Sequence, residues 1–259
     1  MPAQLACIDG ALVALAEASI PATDDGLLRG DGVFEVMRLY GGRSFGRQRH
    51  MDRMARSAEA VRLDFDAGAF GADIDLLLGA ESPGEAQLRV LLTRGGHRIV
   101  LLEELPELPP SIALSCVTYA PSRVLDGVKS LSYAANMLAG RLARERGFDE
   151  ALLVTPHGRV LECPTACFFW VRDGELLTPP LSEHILDSIT RRVVLDAAGA
   201  REEVCRHAEL AEAEEACLAS SVREFMGVHR IDGIELEALG PVTRRAAREV
   251  AALIRSELD

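Results

Sequence analysis

Short apolar stretches punctuated by glycine, aspartate and proline recur along the whole chain, and they limit the folds open to it. Stretches 5–8 and 11–15 flank Asp9-Gly10, a dipeptide suited to two-residue hairpin turns because both positions accept left-handed backbone. Strands are expected over 33–40, 86–93, 99–102 and 112–118, and again over 151–155, 160–162, 167–171, 176–177 and 216–219. Helical spacing is confined to fewer places. Residues 48–63 put Met51, Met54, Ala55, Ala58 and Val61 on one face. Further helices are expected within 74–78, over 134–146, over 190–198 with Gly199 as the stop residue, over 208–215 and over 244–257. Helices inserted irregularly among runs of strands predict a mixed α+β fold rather than a regular βαβ alternation. A domain boundary is expected at 120–123, where proline and polar residues interrupt the pattern.

The composition excludes several classes of function. A chain of 259 residues, 48% apolar and 26% charged, has ample material for one large or two modest cores. Its formal net charge of −12 argues against nucleic acid, because phosphate chains demand a basic face. No apolar run approaches the roughly 18 residues needed to span a bilayer. The first ten residues lack the basic head and apolar run of a secretory signal, so a cytoplasmic protein is expected. The six cysteines form no CxxC pair and predict reduced, buried thiols. Cys163 and Cys167 have no histidine or second cysteine pair nearby in sequence, so no metal site is expected.

Three stretches carry chemistry. Lys129 is a lone amine among small and apolar neighbours in 126–133, and an enclosed amine loses its charge readily enough to attack an aldehyde. Glu162 closes an apolar strand; a carboxylate of this kind can keep a pyridine nitrogen protonated. Thr178-Pro179-Pro180 leads into a helix opening at Ser188-Ile189-Thr190, with Asp187 or Ser188 as its cap. A helix start offers unpaired N–H groups and a favourable dipole to a phosphate. An amine, an acid and a polar helix start, in this order, are the parts needed to hold pyridoxal phosphate.

At this point the chain resembles a known family, the fold-type IV pyridoxal phosphate enzymes or class IV aminotransferases, which include branched-chain and D-amino-acid aminotransferases and aminodeoxychorismate lyase. The resemblance rests on Lys129-Ser130-Leu131-Ser132, the 147–153 stretch, Val160-Leu161-Glu162, Leu177-Thr178-Pro179-Pro180, Ile189-Thr190-Arg191 and the 219–224 stretch, with Gly30-Asp31-Gly32-Val33-Phe34-Glu35 and His50-Met51-Asp52-Arg53-Met54 upstream. It implies two mixed α/β domains with the cofactor in the cleft between them. The first, 1–118, would carry the phosphate arginine and substrate pocket; 119–123 would be a linker, and 124–259 the cofactor-binding domain. Lys129 would form the Schiff base and shuttle the substrate proton, Glu162 would pair with the ring nitrogen, and Arg53, Ile189, Thr190 and Ser221 would cup the phosphate. Tyr133 would hydrogen-bond the cofactor's phenolic oxygen. The family also implies a homodimer acting on an amino acid and a 2-oxo acid.

The chain departs from the family in places. Cys163-Pro164-Thr165-Ala166-Cys167 replaces a run of glycine and hydroxyl residues, Ser188 replaces a glycine, and Gly227 a proline. Arg29 and Arg89, with Arg38 and Arg98 as lesser candidates, are the expected carboxylate-binding residues, since a guanidinium grips a carboxylate with two parallel bonds. Val36 stands where lyases of the family often carry a hydroxyl, which favours transamination. Thr93-Arg94-Gly95-Gly96 points instead to the alternative, an aminodeoxychorismate lyase releasing pyruvate and 4-aminobenzoate. A cofactor-binding protein without catalysis is the remote third reading.

Overall fold

A computed structural model of the chain describes residues 3–258. These residues form two compact units, each with its own sheet. The first unit runs through Glu107 and also takes Val128–Tyr133 and the residues from Glu257 onward. Its elements are β1 (Leu5–Ile8), β2 (Ala11–Ala14), α1 (Asp25–Arg29), β3 (Gly32–Tyr40), β4 (Arg43–Ser44), α2 (Arg47–Ala60), α3 (Ala67–Glu81), β5 (Ala86–Thr93) and β6 (Arg98–Glu103). The six strands pair antiparallel in the order β2-β1-β6-β5-β3-β4. Alternation along β3 and β5 buries Val33, Met37, Leu39, Leu88, Val90 and Leu92 in one core with Met51, Met54, Phe70, Ile74 and Leu77 of the two long helices. The opposite face of the same strands carries Phe34, Val36, Arg38 and Arg89, with Val36 paired to Arg89.

The second unit comprises Leu108–Gly127 and Ala134–Ser256. It contains β7 (Ser111–Thr118), α4 (Ala134–Glu145), β8 (Glu150–Val154), β9 (Cys167–Arg172), β10 (Glu175–Thr178), α5 (Ile189–Ala198), β11 (Arg201–Glu202), β12 (Glu215–Ser220), β13 (Glu224–Ile231), β14 (Ile234–Glu235) and α6 (Pro241–Leu258). The sheet order is β11-β10-β9-β12-β13-β7-β8, with β14 paired to β13. It is mixed: β7 runs parallel to both β13 and β8, whereas β9, β12 and β13 pair antiparallel. One face packs around Trp170, Phe168, Leu114 and Leu218, and Val117, Ala143, Leu153, Leu161 and Ile185 form a separate cluster. Because β7 belongs to this sheet, the units part in the proline-rich stretch 105–110, upstream of the boundary expected at 120–123.

Several expected elements change on folding. The helix expected within 74–78 spans all of Ala67–Glu81, capped by Asp66, whose side chain accepts from Ala69 N at 2.9 Å. Gly68, Gly71 and Gly79 dilute its apolar periodicity, and the packing of Phe70, Ile74 and Leu77 supplies what propensity does not. The helix expected over 208–215 is a 3-10 turn, His207–Glu212, and Glu215 instead opens β12. The buried Glu215 carboxylate accepts Val242 N and Thr243 N at 3.0 and 2.8 Å, and so caps α6, whose first residue is Pro241. Residues 160–162 do not form a regular strand, although Leu161 N donates to Leu153 O and Leu153 N to Glu162 O, each at 2.9 Å.

Candidate active site

Within the first unit, the segment bearing Lys129 lies along β3. Phe34 N donates to Lys129 O at 3.0 Å, Leu131 N to Gly32 O at 2.9 Å, and Val33 bridges Ser130. From α2, Ser57 Oγ accepts Lys129 N at 3.1 Å. Gly32 is needed for this approach, since a Cβ there would sit 2.4 Å from Leu92 O and 2.5 Å from a Leu131 methyl carbon. Gly30 ends α1 in the left-handed conformation, φ 67°, and its carbonyl accepts Ser132 Oγ at 3.0 Å. Lys129 Nζ stands 4.4 Å from the Phe34 ring centroid and 5.8 Å from that of Tyr133, and the two rings meet edge to face. Aromatic quadrupoles therefore hold an amine that is partly exposed rather than enclosed. Lys129 is also the only lysine in the sequence; the other 27 of its 28 Lys and Arg residues are arginine. A lone lysine among 27 arginines is itself a sequence signal for a reactive amine.

Beside this segment lies a buried ionic cluster. Residues 50, 53, 54 and 57 fall on one face of α2, and His50 and Arg53 meet Glu35 of β3. Arg53 donates to the two Glu35 carboxylate oxygens from Nε and Nη2, both at 2.7 Å, and His50 Nδ1 lies 2.8 Å from the same carboxylate. Burial alone would raise the Glu35 carboxyl, but the charge and hydrogen bonds of Arg53, helped by His50, hold it at about 2. Burial keeps His50 below its ordinary value despite the opposing pull of Glu35, and the positive charges of Arg53 and Lys129 act in the same direction as burial. Arg53 is thus fixed in orientation by a carboxylate, and Lys129 is close enough to be felt at His50. Glu35 and His50 stand in the stretches that carry the family resemblance, but nothing in their local sequence marks them as partners.

The second unit holds Glu162, Ile189, Thr190 and Ser221. Glu162 Oε1 accepts Leu186 N at 2.9 Å, which ties the carboxylate to the segment entering α5. Burial and the nearby charge of Glu162 raise the Tyr119 phenol, a neighbour that no sequence pattern indicated. Ser188 caps α5, its Oγ accepting Arg191 N at 3.3 Å, and Ile189 and Thr190 are buried in the first turn. First-turn N–H groups have no partner within a helix, so this end is suited to an anion. Arg191, almost fully buried, donates from Nη2 to Pro179 O at 2.7 Å and to Glu202 at 2.6 Å, fixing the helix start to the ends of β10 and β11. Ser221 follows the end of β12 and is partly buried. Where the family carries glycine and hydroxyls after the glutamate, Cys163 is buried and bridges Ala166, and burial pushes its thiol well up.

The four candidate substrate arginines all have carboxylate partners. Arg29, well exposed on α1, pairs with Asp25. Arg38 lies 3.3 Å from Glu85 and over the Tyr40 ring. Arg98 Nε donates to the buried Asp73 of α3 at 2.8 Å. Arg89 pairs with Glu103 at 2.9 Å and stands 6.0 Å from the Phe34 ring, so it shares that ring with Lys129. The Thr93-Arg94-Gly95 corner is held separately, Arg94 donating to both Asp31 oxygens at 2.9 and 3.0 Å.

Comparison with known proteins identifies the family and the fold. A family model, amino-transferase class IV, matches residues 32–231. The chain is 31% identical to a putative branched-chain-amino-acid aminotransferase of Methanocaldococcus jannaschii, across 92% of each chain. It is 27% identical to a bifunctional aminodeoxychorismate lyase / D-amino acid transaminase of Mycobacterium tuberculosis, over 96% of this chain and 98% of that one. Among solved structures, the branched-chain aminotransferase of Thermoproteus uzoniensis with norvaline superposes with a TM-score of 0.91 at 26% identity, covering 98% of this chain and 95% of the other.

Proposed function

The chain belongs to the class IV aminotransferases, pyridoxal phosphate-dependent enzymes of fold type IV, and we propose that Lys129, Glu162, Arg53, Ile189, Thr190, Ser221 and Tyr133 hold its cofactor. As an aminotransferase it moves an amino group between an amino acid and a 2-oxo acid. When bound, pyridoxal phosphate supplies the aldehyde that takes up the amino group and a ring that draws electrons from the substrate carbon.

The donor set fits that group. Lys129, its amine against the Phe34 and Tyr133 rings, would be the covalent attachment point and would move the proton at the substrate carbon. The Glu162 carboxylate, oriented by Leu186 N, keeps a ring nitrogen protonated. The first turn of α5, clamped by Arg191, offers N–H groups and the Thr190 hydroxyl to a phosphate; Ser221 adds a hydroxyl and Arg53 a fixed charge. Tyr133 is assigned to the phenolic oxygen.

Arg89 is our first choice for the substrate carboxylate, because it shares Phe34 with Lys129. Arg29, Arg38 and Arg98 rank below it. A homodimer is supported by the family and by the exposed apolar side chains Leu27, Leu28 and Val124. Six free cysteines fit a reducing cytoplasm, and among the described residues no helix is long and apolar enough to cross a membrane.

The observation that carries this reading is the amine of Lys129 held against Phe34 and Tyr133 beside the Glu35–Arg53–His50 cluster. Mixing the holoenzyme with branched-chain L-amino acids, D-amino acids and aminodeoxychorismate, one at a time, tests it. Transamination predicts loss of the bound cofactor's visible absorbance with an amino acid, and its return with a 2-oxo acid. Pyruvate and 4-aminobenzoate formed from aminodeoxychorismate with no amino acceptor would favour the lyase, the reading supported by the bifunctional relative. No response to any of them would leave a cofactor-binding protein without catalysis.

A further inference from the structure

Three donor types that bind transition metals converge at one end of the second unit's sheet. Cys116 lies near the end of β7, Asp232 in the turn between β13 and β14, and His207 at the start of the 3-10 turn His207–Glu212. A thiol sulfur, an imidazole nitrogen and a carboxylate oxygen, one from each residue, all lie within 4.8 Å of one another. The three are far apart in the sequence, so the spacing of cysteines could not reveal them.

We propose that Cys116, His207 and Asp232 bind a borderline divalent transition-metal ion of the zinc type, with solvent completing its coordination. The geometry is prepared before any ion arrives. Ile231 pairs with Ile234, leaving Asp232-Gly233 as a two-residue turn in which Asp232 adopts φ 46°. Asp232 N donates to Leu114 O at 2.8 Å, and its carboxylate oxygens lie 3.1 and 3.2 Å from Cys116 N. That contact orients the carboxylate and leaves further lone pairs on each oxygen. His207 is anchored through its backbone N to Gly158 O at 2.8 Å, and the residue is exposed. Tetrahedral zinc, with sulfur at ~2.3 Å and nitrogen or oxygen at ~2.1 Å, places its donors roughly 3.5 Å apart, so donors within 4.8 Å of one another need close by about 1.3 Å at most.

The donor chemistry selects the ion. Thiolate and imidazole suit zinc, cobalt and nickel, whereas calcium and magnesium require oxygen ligands. On binding, Cys116 releases its thiol proton to solvent as the sulfur–metal bond forms, with no change of oxidation state. Partial exposure of Cys116 and Asp232 gives a path of entry. The ion would cross-link β7, the β13–β14 turn and the 205–207 segment. That segment is bonded to the hairpin leading into Glu162, Cys205 O accepting Val160 N at 2.9 Å. None of the three residues belongs to the proposed cofactor set, so the site does not depend on the substrate assignment.

The test uses untagged holoenzyme stripped with a chelator and dialysed against Co2+ or Zn2+. One equivalent of metal per chain is expected, with a thiolate-to-cobalt charge-transfer band that Zn2+ displaces. Cys116→Ser and His207→Ala should each lose the band and the stoichiometric metal while keeping the bound cofactor's absorbance, which shows that they fold. Failure of the wild-type protein to take up metal, or an undiminished band in Cys116→Ser, would overturn the proposal.

Discussion

Glu35 is the residue whose chemistry reaches furthest through the first unit. A fully buried carboxylate is tolerable only because Arg53 and His50 satisfy it, and removing one partner of such a pair commonly costs about 3–5 kcal/mol. Its carboxyl is held at about 2 against an ordinary 4.5, so it contributes stability above that ordinary value and loses it as pH falls toward 2. The contribution is on the order of 3 kcal/mol. His50, also depressed, loses stability in the same direction as it is forced to take up a proton. Denaturant melts across the acid range should therefore show wild type falling more steeply than Glu35→Gln, which should start lower; parallel acid limbs would contradict this. Arg89→Gln bears on the substrate instead. It should raise KM for the amino acid by about 10–100-fold and leave the cofactor absorbance unchanged, because a charge-assisted carboxylate contact is worth about 1.5–3 kcal/mol. Equal KM values would move the role to another arginine. Lys129 and Glu162 could be proposed from the sequence because ionisable groups stand out against apolar neighbours. Glu35 and His50 were not, since their partnership exists only once β3 lies against α2.

Among the elements, the Gly30-Asp31-Gly32 corner decides whether Lys129 is presented at all. It lets the 128–133 segment lie on β3, and a single methyl at position 32 would collide with the backbone of β5. Gly32→Ala should cost about 1–3 kcal/mol, as overpacked interiors do. It should also weaken cofactor retention, measured by dialysis followed by visible absorbance; retention equal to wild type would show that the segment adjusts freely. The strands of the first unit were readable as short apolar runs bounded by glycine, aspartate and proline. β13 was not, because Gly227, His229 and Arg230 break its pattern. Gly227 is there for packing, a Cβ at that position meeting Leu239 at 2.9 Å. The short α1 was likewise hidden, since five residues carry too little periodicity to be recognised.

Taken as one chain, the protein shows where local reading stops. β7 continues the run of strands that precedes it in sequence, yet it pairs in parallel with β13, more than a hundred positions later, and so belongs to the second sheet. No local pattern encodes that pairing. The order of motifs along the chain carried the family, and the class IV family model spans that same order over residues 32–231.

The sequence holds a single lysine, so Lys129 is its one side-chain primary amine able to hold an aldehyde. Borohydride reduction of the holoenzyme followed by peptide mapping reads whether it does so. One pyridoxyl group per chain, confined to the peptide containing Lys129 and absent from Lys129→Ala, is the predicted result. A label on another peptide, or no label in a protein that still transaminates, would contradict the role given to Lys129 and the site built around it.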